Sequence, residues 1–167
     1  MIKHPRGMNA ENRRRIRLER TYQAPIEDVW ELWTTKEGIE SWWGPGGFRV
    51  VVKRIDVRPG GKLEYVMEAV DPEQIAFMKQ SGMPTAHDAT LTYTEVVAPT
   101  RLAYVHAADF IPGVEVYDVS HLIEIAETAN GVRMTLTFDA MHDEHWTNMA
   151  KAGWEQELDK LGRALEA

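Results

Sequence analysis

Residues Asp143 to Glu166 read as one amphipathic helix, and that reading limits what the rest of the chain can be. Trp146, Met149, Ala150, Gly153, Trp154, Leu158, Leu161 and Leu165 recur at three- and four-residue steps, so they share one face. Glu144, Lys151, Glu155, Gln156, Asp159, Lys160 and Arg163 fall mostly on the other. Acids open the segment and bases close it, as the helix dipole favours. At 1.5 Å per residue the helix is about 36 Å long, enough to cross a small domain. Two tryptophans on its apolar face call for a broad apolar surface. The remaining sequence is rich in strands, so the expected partner is a curved sheet.

Strand signals recur along the chain. Ile16 and Leu18 alternate with Arg17 and Glu19 in Arg15 to Tyr22. Pro25 opens a helix whose apolar stripe is Ile26, Val29, Trp30 and Trp33, with Glu27 and Asp28 in its first turn. Thr34 or Thr35 caps a second short helix, which runs to Trp42 and Trp43 and stops at Gly44-Pro45-Gly46-Gly47. Strands follow at Phe48 to Val57 and at Lys62 to Val70. Asp71 to Gly82 then breaks the rhythm: Asp71 as cap, Pro72 at the first helical position and Gln74 at capping-box spacing predict an inserted short helix. Further strands are predicted at Ala89 to Val97, Arg101 to Ala107, Glu115 to Ala126 and Val132 to Ala140. Strands in series followed by a helix indicate an α+β domain with an antiparallel meander. Residues 1–14 read as a loose arm and 15–167 as a single domain carrying the insert at about 71–82.

The totals exclude several classes. A net charge of −7 argues against nucleic acid or an anionic membrane as the main partner, and makes Arg13, Arg14 and Arg15 a solvated start to the first strand. The absence of cysteine removes disulfides, thiolate nucleophiles and cysteine metal sites, and suits a cytoplasmic location. No apolar run approaches the roughly 20 residues that span a bilayer. No phosphate loop, nucleotide motif or other cofactor signature is visible, and Gly44 to Gly47 lacks the spacing to cradle a phosphate.

Two polar groupings are candidates for chemistry. His142-Asp143-Glu144-His145, with Asp139 before it, is the densest, but it lacks a recognised zinc spacing and reads first as a helix start with capping acids, so no metal is assigned. More informative are Tyr65, Tyr93, Tyr104, His106, Tyr117 and His121, each in phase with apolar neighbours such as Met67, Leu102 and Ile123. If these phases face the long helix, the interior carries several hydroxyls and two imidazoles, and buried polar tips need partners. They either satisfy one another, bind polar atoms of a ligand, or supply acid–base chemistry through His106 or His121. Trp42 and Trp43 are either a gate or part of the core.

Ala24-Pro25 with Val29-Trp30, Trp42-Trp43-Gly44-Pro45 with Gly47-Phe48, and Asp56-Val57-Arg58-Pro59-Gly60-Gly61 form one series of motifs. Tyr93-Thr94-Glu95-Val96, Arg101-Leu102, and Gly153-Trp154 with Leu158 and Leu161 continue it. From about Arg15 onward the chain thereby resembles the activator of the ninety-kilodalton heat-shock chaperone ATPase (AHSA) family, in its C-terminal-domain-like branch. That branch belongs to the SRPBCC, START-like, Bet v 1-like superfamily. The resemblance implies a helix-grip fold, with the sheet wrapped round the C-terminal helix and often a cavity between them. It departs from the family's pattern in the Asp71 to Gly82 insert and in a longer loop at Asp109 to Gly113.

The resulting expectation is a binder of a small, largely apolar molecule, aromatic or lipid-like. A cavity enzyme of cyclase or hydrolase type using His106 or His121 is the alternative. A chaperone cofactor is the second, weakened because the chain has room only for the C-terminal-like domain. The expected ligand-binding set is Tyr65, Met67, Tyr93, Tyr104, His106, Tyr117, His121, Met149, Phe77, Met78 and Phe110. In an antiparallel meander the insert, the Asp109 loop and His142 emerge at one end of the sheet. Ile75, Phe77, Met78, Phe110 and Ile111 are therefore expected to form an apolar lid, with His142 and His145 at its rim. A homodimer contact is the competing use of these residues.

Overall fold

A computed structural model describes residues 14–109, 111 and 113–166. In chain order the elements are β1 (Arg15–Tyr22), α1 (Ile26–Thr34), α2 (Lys36–Trp42), β2 (Phe48–Ile55), β3 (Lys62–Ala69), α3 (Pro72–Gln80) and β4 (Ala86–Val97). They continue with β5 (Arg101–Ala108), β6 (Tyr117–Thr128), β7 (Gly131–Asp139) and α4 (Glu144–Glu166). The strands form one antiparallel sheet in the order β1-β7-β6-β5-β4-β3-β2, so β2 through β7 are a meander and β1 closes on β7. The sheet curves around α4 to give an α+β helix-grip fold.

Local chemistry explains the boundaries. Thr35, not Thr34, caps α2, accepting the Gly38 N–H at 3.0 Å. Pro25 lies one position outside α1, since its ψ of 147° is extended. Asp71 caps α3 by accepting the Gln74 N–H at 3.2 Å, with Pro72 at the start of the helix. Alternation along β2 turns Val50 and Val52 to the core and leaves Val51 exposed, and a bulge between Val52 and Arg54 then resets the phase. Without that extra residue Ile55, an odd number of steps from Val52, would point to the opposite face. β4 begins three residues earlier than its apolar pattern suggested, because pairing with β3 extends through Ala86 and Glu68.

The main core joins the inward faces of the sheet to α1, α2 and the apolar side of α4. Four indoles meet inside it. Trp33 lies 4.6 Å from Trp42 and 5.8 Å from Trp43 between ring centroids, and Trp154 lies 6.2 Å from Trp33. Trp42 is a core residue and not a gate: it is fully buried and its Nε1–H donates to the Leu32 carbonyl at 2.7 Å.

Helix α4 buries Thr147, Trp154, Leu158 and Leu161. Met149, expected on this face, is 51% exposed, and Trp146 is only half-buried. The helical repeat gives the reason. At about 100° per residue, Thr147 sits seven positions from Trp154 and almost in line with it, whereas Met149 sits five positions away and about 140° round. Arg14, expected within the loose arm, is tied to the domain: its carbonyl accepts the Ala140 N–H at 2.7 Å and its guanidinium pairs with Glu144. The rest of the arm lies outside the described residues. Among the described residues no helix is long and apolar enough to cross a membrane.

Candidate functional site: an aromatic cavity between sheet and helix

The pairing register sets rings side by side across the sheet. Tyr93 pairs with Tyr104, Tyr104 with His121, and His121 with Phe138, so four neighbouring strands each place one ring on the same rung. His121 is held between two of them, stacked on Tyr104 at 4.6 Å and on Phe138 at 5.9 Å. The next rung carries Leu91, His106 and Val119. Alternation along each strand sends these side chains toward α4.

Between this floor and α4 lies a cavity of about 220 Å³. The sheet contributes Tyr65, Met67, Tyr104, His106, Ala108, Val119, His121 and Phe138, and α4 contributes Ala150, Gly153, Trp154 and Glu157. Trp43, Pro45 and Met141 complete the lining from the adjoining turns. Trp43 thus stands at the junction of core and cavity, with Tyr65 at 6.1 Å and Trp154 at 5.7 Å.

Polar groups are few in this lining, and each has a definite state. The His121 Nδ1 lies 3.2 Å from the Val119 carbonyl, which places the proton on Nδ1 and leaves Nε2 as a bare acceptor. Burial, reinforced by nearby His106, pushes the His121 pKa down to about 3, so the ring is neutral at physiological pH. His106 is also shifted down by burial, with Asp109 opposing and His87 adding to the shift. Burial raises Tyr65 to about 12 and Tyr104 well above the ordinary range, so both are neutral phenols. The Tyr104 hydroxyl is buried with no hydrogen-bond partner.

Glu157 is the residue that the sequence pattern concealed. It lines the cavity from α4, half-buried, and burial pushes its pKa up to about 7 against the opposing Gly44 N–H and Lys160. Its Oε1 accepts the Gly44 N–H at 2.8 Å, while the Lys160 ammonium donates to the Gly44 carbonyl at 2.8 Å. One peptide segment therefore ties both side chains to the α2–β2 turn. Gly44 has φ of 91°, a conformation that only glycine adopts without strain. Glu157 was identifiable in principle: positions 150, 153, 154, 157, 158 and 161 form one stripe, and a carboxylate within an apolar stripe is a site signal.

The expected ligand-binding residues therefore divide. Tyr65, Met67, Tyr104, His106 and His121 come together in the cavity lining. Tyr93 is buried beside it, its hydroxyl likewise without a partner, but outside the lining. Tyr117 stands at the start of β6, its hydroxyl 2.8 Å from His142 Nδ1, and helps hold the β7–α4 turn. Met149 points to solvent for the helical reason given above.

The arrangement around the proposed lid also differs from expectation. Phe77 is 60% exposed, and Met78, though buried, is not in the lining. The α3 segment is tied to the Gly47 carbonyl through the Val70 and Asp71 N–H groups and packs on β3. Ile111 is buried against Ala108, Val119 and Met141, three cavity residues, and so backs one cavity wall. Phe110 lies outside the described residues. Asp143 caps α4 through the Trp146 N–H at 2.8 Å, and Asp139 accepts the Ser120 N–H at 2.9 Å. The acids around His142 thus have structural roles, and among the described residues no three metal-ligating side chains converge.

Comparison with solved structures returns the same architecture. A protein from Chromobacterium violaceum is 22% identical with a TM-score of 0.72, over 92% of this chain and 99% of that one. An AHSA1-like protein from Aeromonas hydrophila is 27% identical with a TM-score of 0.71, over 92% of each chain. The AHSA1 protein from Silicibacter pomeroyi is 19% identical with a TM-score of 0.72, over 92% and 98%. Among curated proteins, none matches the chain. The sequence model described as "Activator of Hsp90 ATPase homolog 1-like protein" matches residues 23–166, from the turn before α1 to the end of α4. The chain accordingly belongs to the activator of Hsp90 ATPase homolog 1-like family.

Proposed function

We propose that this protein binds a small, largely apolar molecule of about one aromatic ring in the cavity between the sheet and α4. The observation that carries this reading is the cavity itself: about 220 Å³, walled by Trp43, Tyr65, Tyr104, Phe138 and Trp154, with a few polar tips. Apolar walls with a small number of placed polar groups are the usual form of a small-molecule site. An apolar cavity of about 150 Å³ accommodates benzene, so this one suits a single ring with a short substituent. It is smaller than the roughly 300–1,000 Å³ of drug-sized sites, which argues for the aromatic over the lipid-like version of the expectation.

Binding is favoured over acid–base catalysis by His121. A general base works best with a pKa near the operating pH, and burial has moved His121 to about 3. The family description names a chaperone activator, but no surface feature among the described residues supports that role as directly as the cavity supports binding.

Gly153 provides the test, because it lines the cavity and a Cβ built there meets no atom within 4 Å. Benzyl alcohol titrated into the wild-type protein is expected to give saturable quenching of tryptophan fluorescence, and Gly153→Leu is expected to abolish it. Equal affinity in the two proteins would refute the proposed location.

A further inference from the structure

Resting on the binding reading above, we propose that the cavity selects organic amines. An arylalkyl amine would place its ammonium on the Glu157 carboxylate and its ring among Trp43, Tyr104 and Trp154. The balance of donors and acceptors points this way. The lining contains one carboxylate and neither lysine nor arginine. Glu157 Oε1 accepts the Gly44 N–H, and Oε2 accepts no hydrogen bond among the described residues. The His121 Nδ1 is committed to the Val119 carbonyl, which leaves Nε2 as an acceptor. A molecule that satisfies these two acceptors must bring donors, and an ammonium brings three, while the orphan Tyr104 hydroxyl both donates and accepts and so favours neither kind of ligand.

The same inventory excludes the obvious competitors. A carboxylate or phosphate would meet the ionised Glu157 with no cation in the lining, the nearby Lys160 ammonium being engaged by the Gly44 carbonyl. A cation instead gains from the aromatic walls, since ammonium groups are attracted to the faces of tryptophan and tyrosine. The chain's net charge of −7 attracts cations from solution in the same sense.

Protonation makes the inference measurable. Lys160, backed by Arg163, faces Glu157 from its own helix, and Tyr65 and Tyr104 face it from the sheet. Both tyrosines are neutral phenols, while His106 (with Asp109 and His87 acting on it) and His121 are shifted down. Glu157, with a pKa of about 7, is therefore the cavity carboxyl that changes charge between pH 6 and 8. An alkylamine stays protonated across this range, as lysine does at about 10.4. It binds the ionised carboxylate, so its affinity rises about tenfold as the ionised fraction goes from roughly one tenth to nine tenths.

Calorimetric titration with 2-phenylethylamine, 2-phenylethanol and phenylacetate at pH 6, 7 and 8 tests this. The amine is expected to bind tightest, about tenfold tighter at pH 8 than at pH 6, with proton release at pH 6 that appears as buffer-dependent heat. Glu157→Gln is expected to weaken the amine at least tenfold at pH 8 and to remove its pH slope, and to weaken 2-phenylethanol by a much smaller factor. Should Glu157→Gln not fold, the wild-type slope and proton release decide alone. An amine that binds no better than the alcohol, without a slope, overturns the inference and leaves the cavity reading standing. Tightest binding of phenylacetate does the same. Failure of all three probes to bind overturns both.

Discussion

Replacing Glu157 with glutamine should change the pH dependence of stability in a calculable way. In the native protein, burial raises this carboxyl from its ordinary 4.5 to about 7. A raised carboxyl pKa means that the folded state holds the proton more tightly than the unfolded state. Its contribution is therefore complete below pH 4.5 and is lost as the pH rises to about 7, beyond which it is flat. At about 1.4 kcal/mol per pH unit the full loss is about 3 kcal/mol; partial exposure of the residue brings the expectation to about 2 kcal/mol. His121 works in the opposite sense, because its pKa is lowered to about 3: its contribution is complete above 6.5 and is lost as the pH falls. Comparing wild type with Glu157→Gln cancels the histidine term. The glutamine carbonyl can still accept the Gly44 N–H, so the turn should survive the change. Urea unfolding at pH 5 and pH 8 is the assay. Between those values the variant should gain about 2 kcal/mol on the wild type. A difference that stays constant within about 0.5 kcal/mol would show that Glu157 is solvated in the folded protein, and the account of the site would fail.

Trp154→Ala should cost about 3–5 kcal/mol, since the ring packs on Trp33, Trp43 and His121; a urea-unfolding loss below about 0.5 kcal/mol would remove α4 from its central place. Met149→Ser, five residues before Trp154 on the same helix but exposed, should change stability by no more than about 0.5 kcal/mol in the same assay. Tyr104→Phe deletes a buried hydroxyl that lacks a partner, so stability should hold or rise by up to about 1 kcal/mol. A loss larger than that in thermal unfolding would mean that the hydroxyl is satisfied in solution.

The fold was legible because local signals agreed with one another. Alternation marked the strands, Asp71-Pro72 with Gln74 marked α3, and the stripe around Trp154 marked the helix on which the sheet closes. The site was legible only in part. Tyr65, Met67, Tyr104, His106 and His121 could be placed inward by phase alone, and they do line the cavity. Phase cannot tell which inward residues border a void and which are packed solid, and so Tyr93 entered the expected set. Met149 misled because three- and four-residue steps drift round a helix when chained, and the direct interval to Trp154 is the better guide. Phe77 misled because topology brings a connection to one end of the sheet without fixing the side to which it folds; the hydrogen bonds from Val70 and Asp71 to Gly47 decide that. Glu157 falls in neither the apolar nor the polar set read from the helix. Its position between Trp154 and Leu161 on the buried stripe was visible, but its tie to Gly44 spans 113 residues, a contact that sequence periodicity does not encode.

The most direct measurement is an NMR titration that follows the indole N–H resonances with 2-phenylethanol, a neutral probe that forms no ion pair with Glu157. Trp43 and Trp154 line the cavity, whereas Trp30 lies on α1 outside the lining. The account predicts saturable shifts at Trp43 and Trp154, little change at Trp30, and loss of the response in Gly153→Leu. Unmoved Trp43 and Trp154 resonances, or shifts centred on the exposed α3 surface around Phe77, would contradict it.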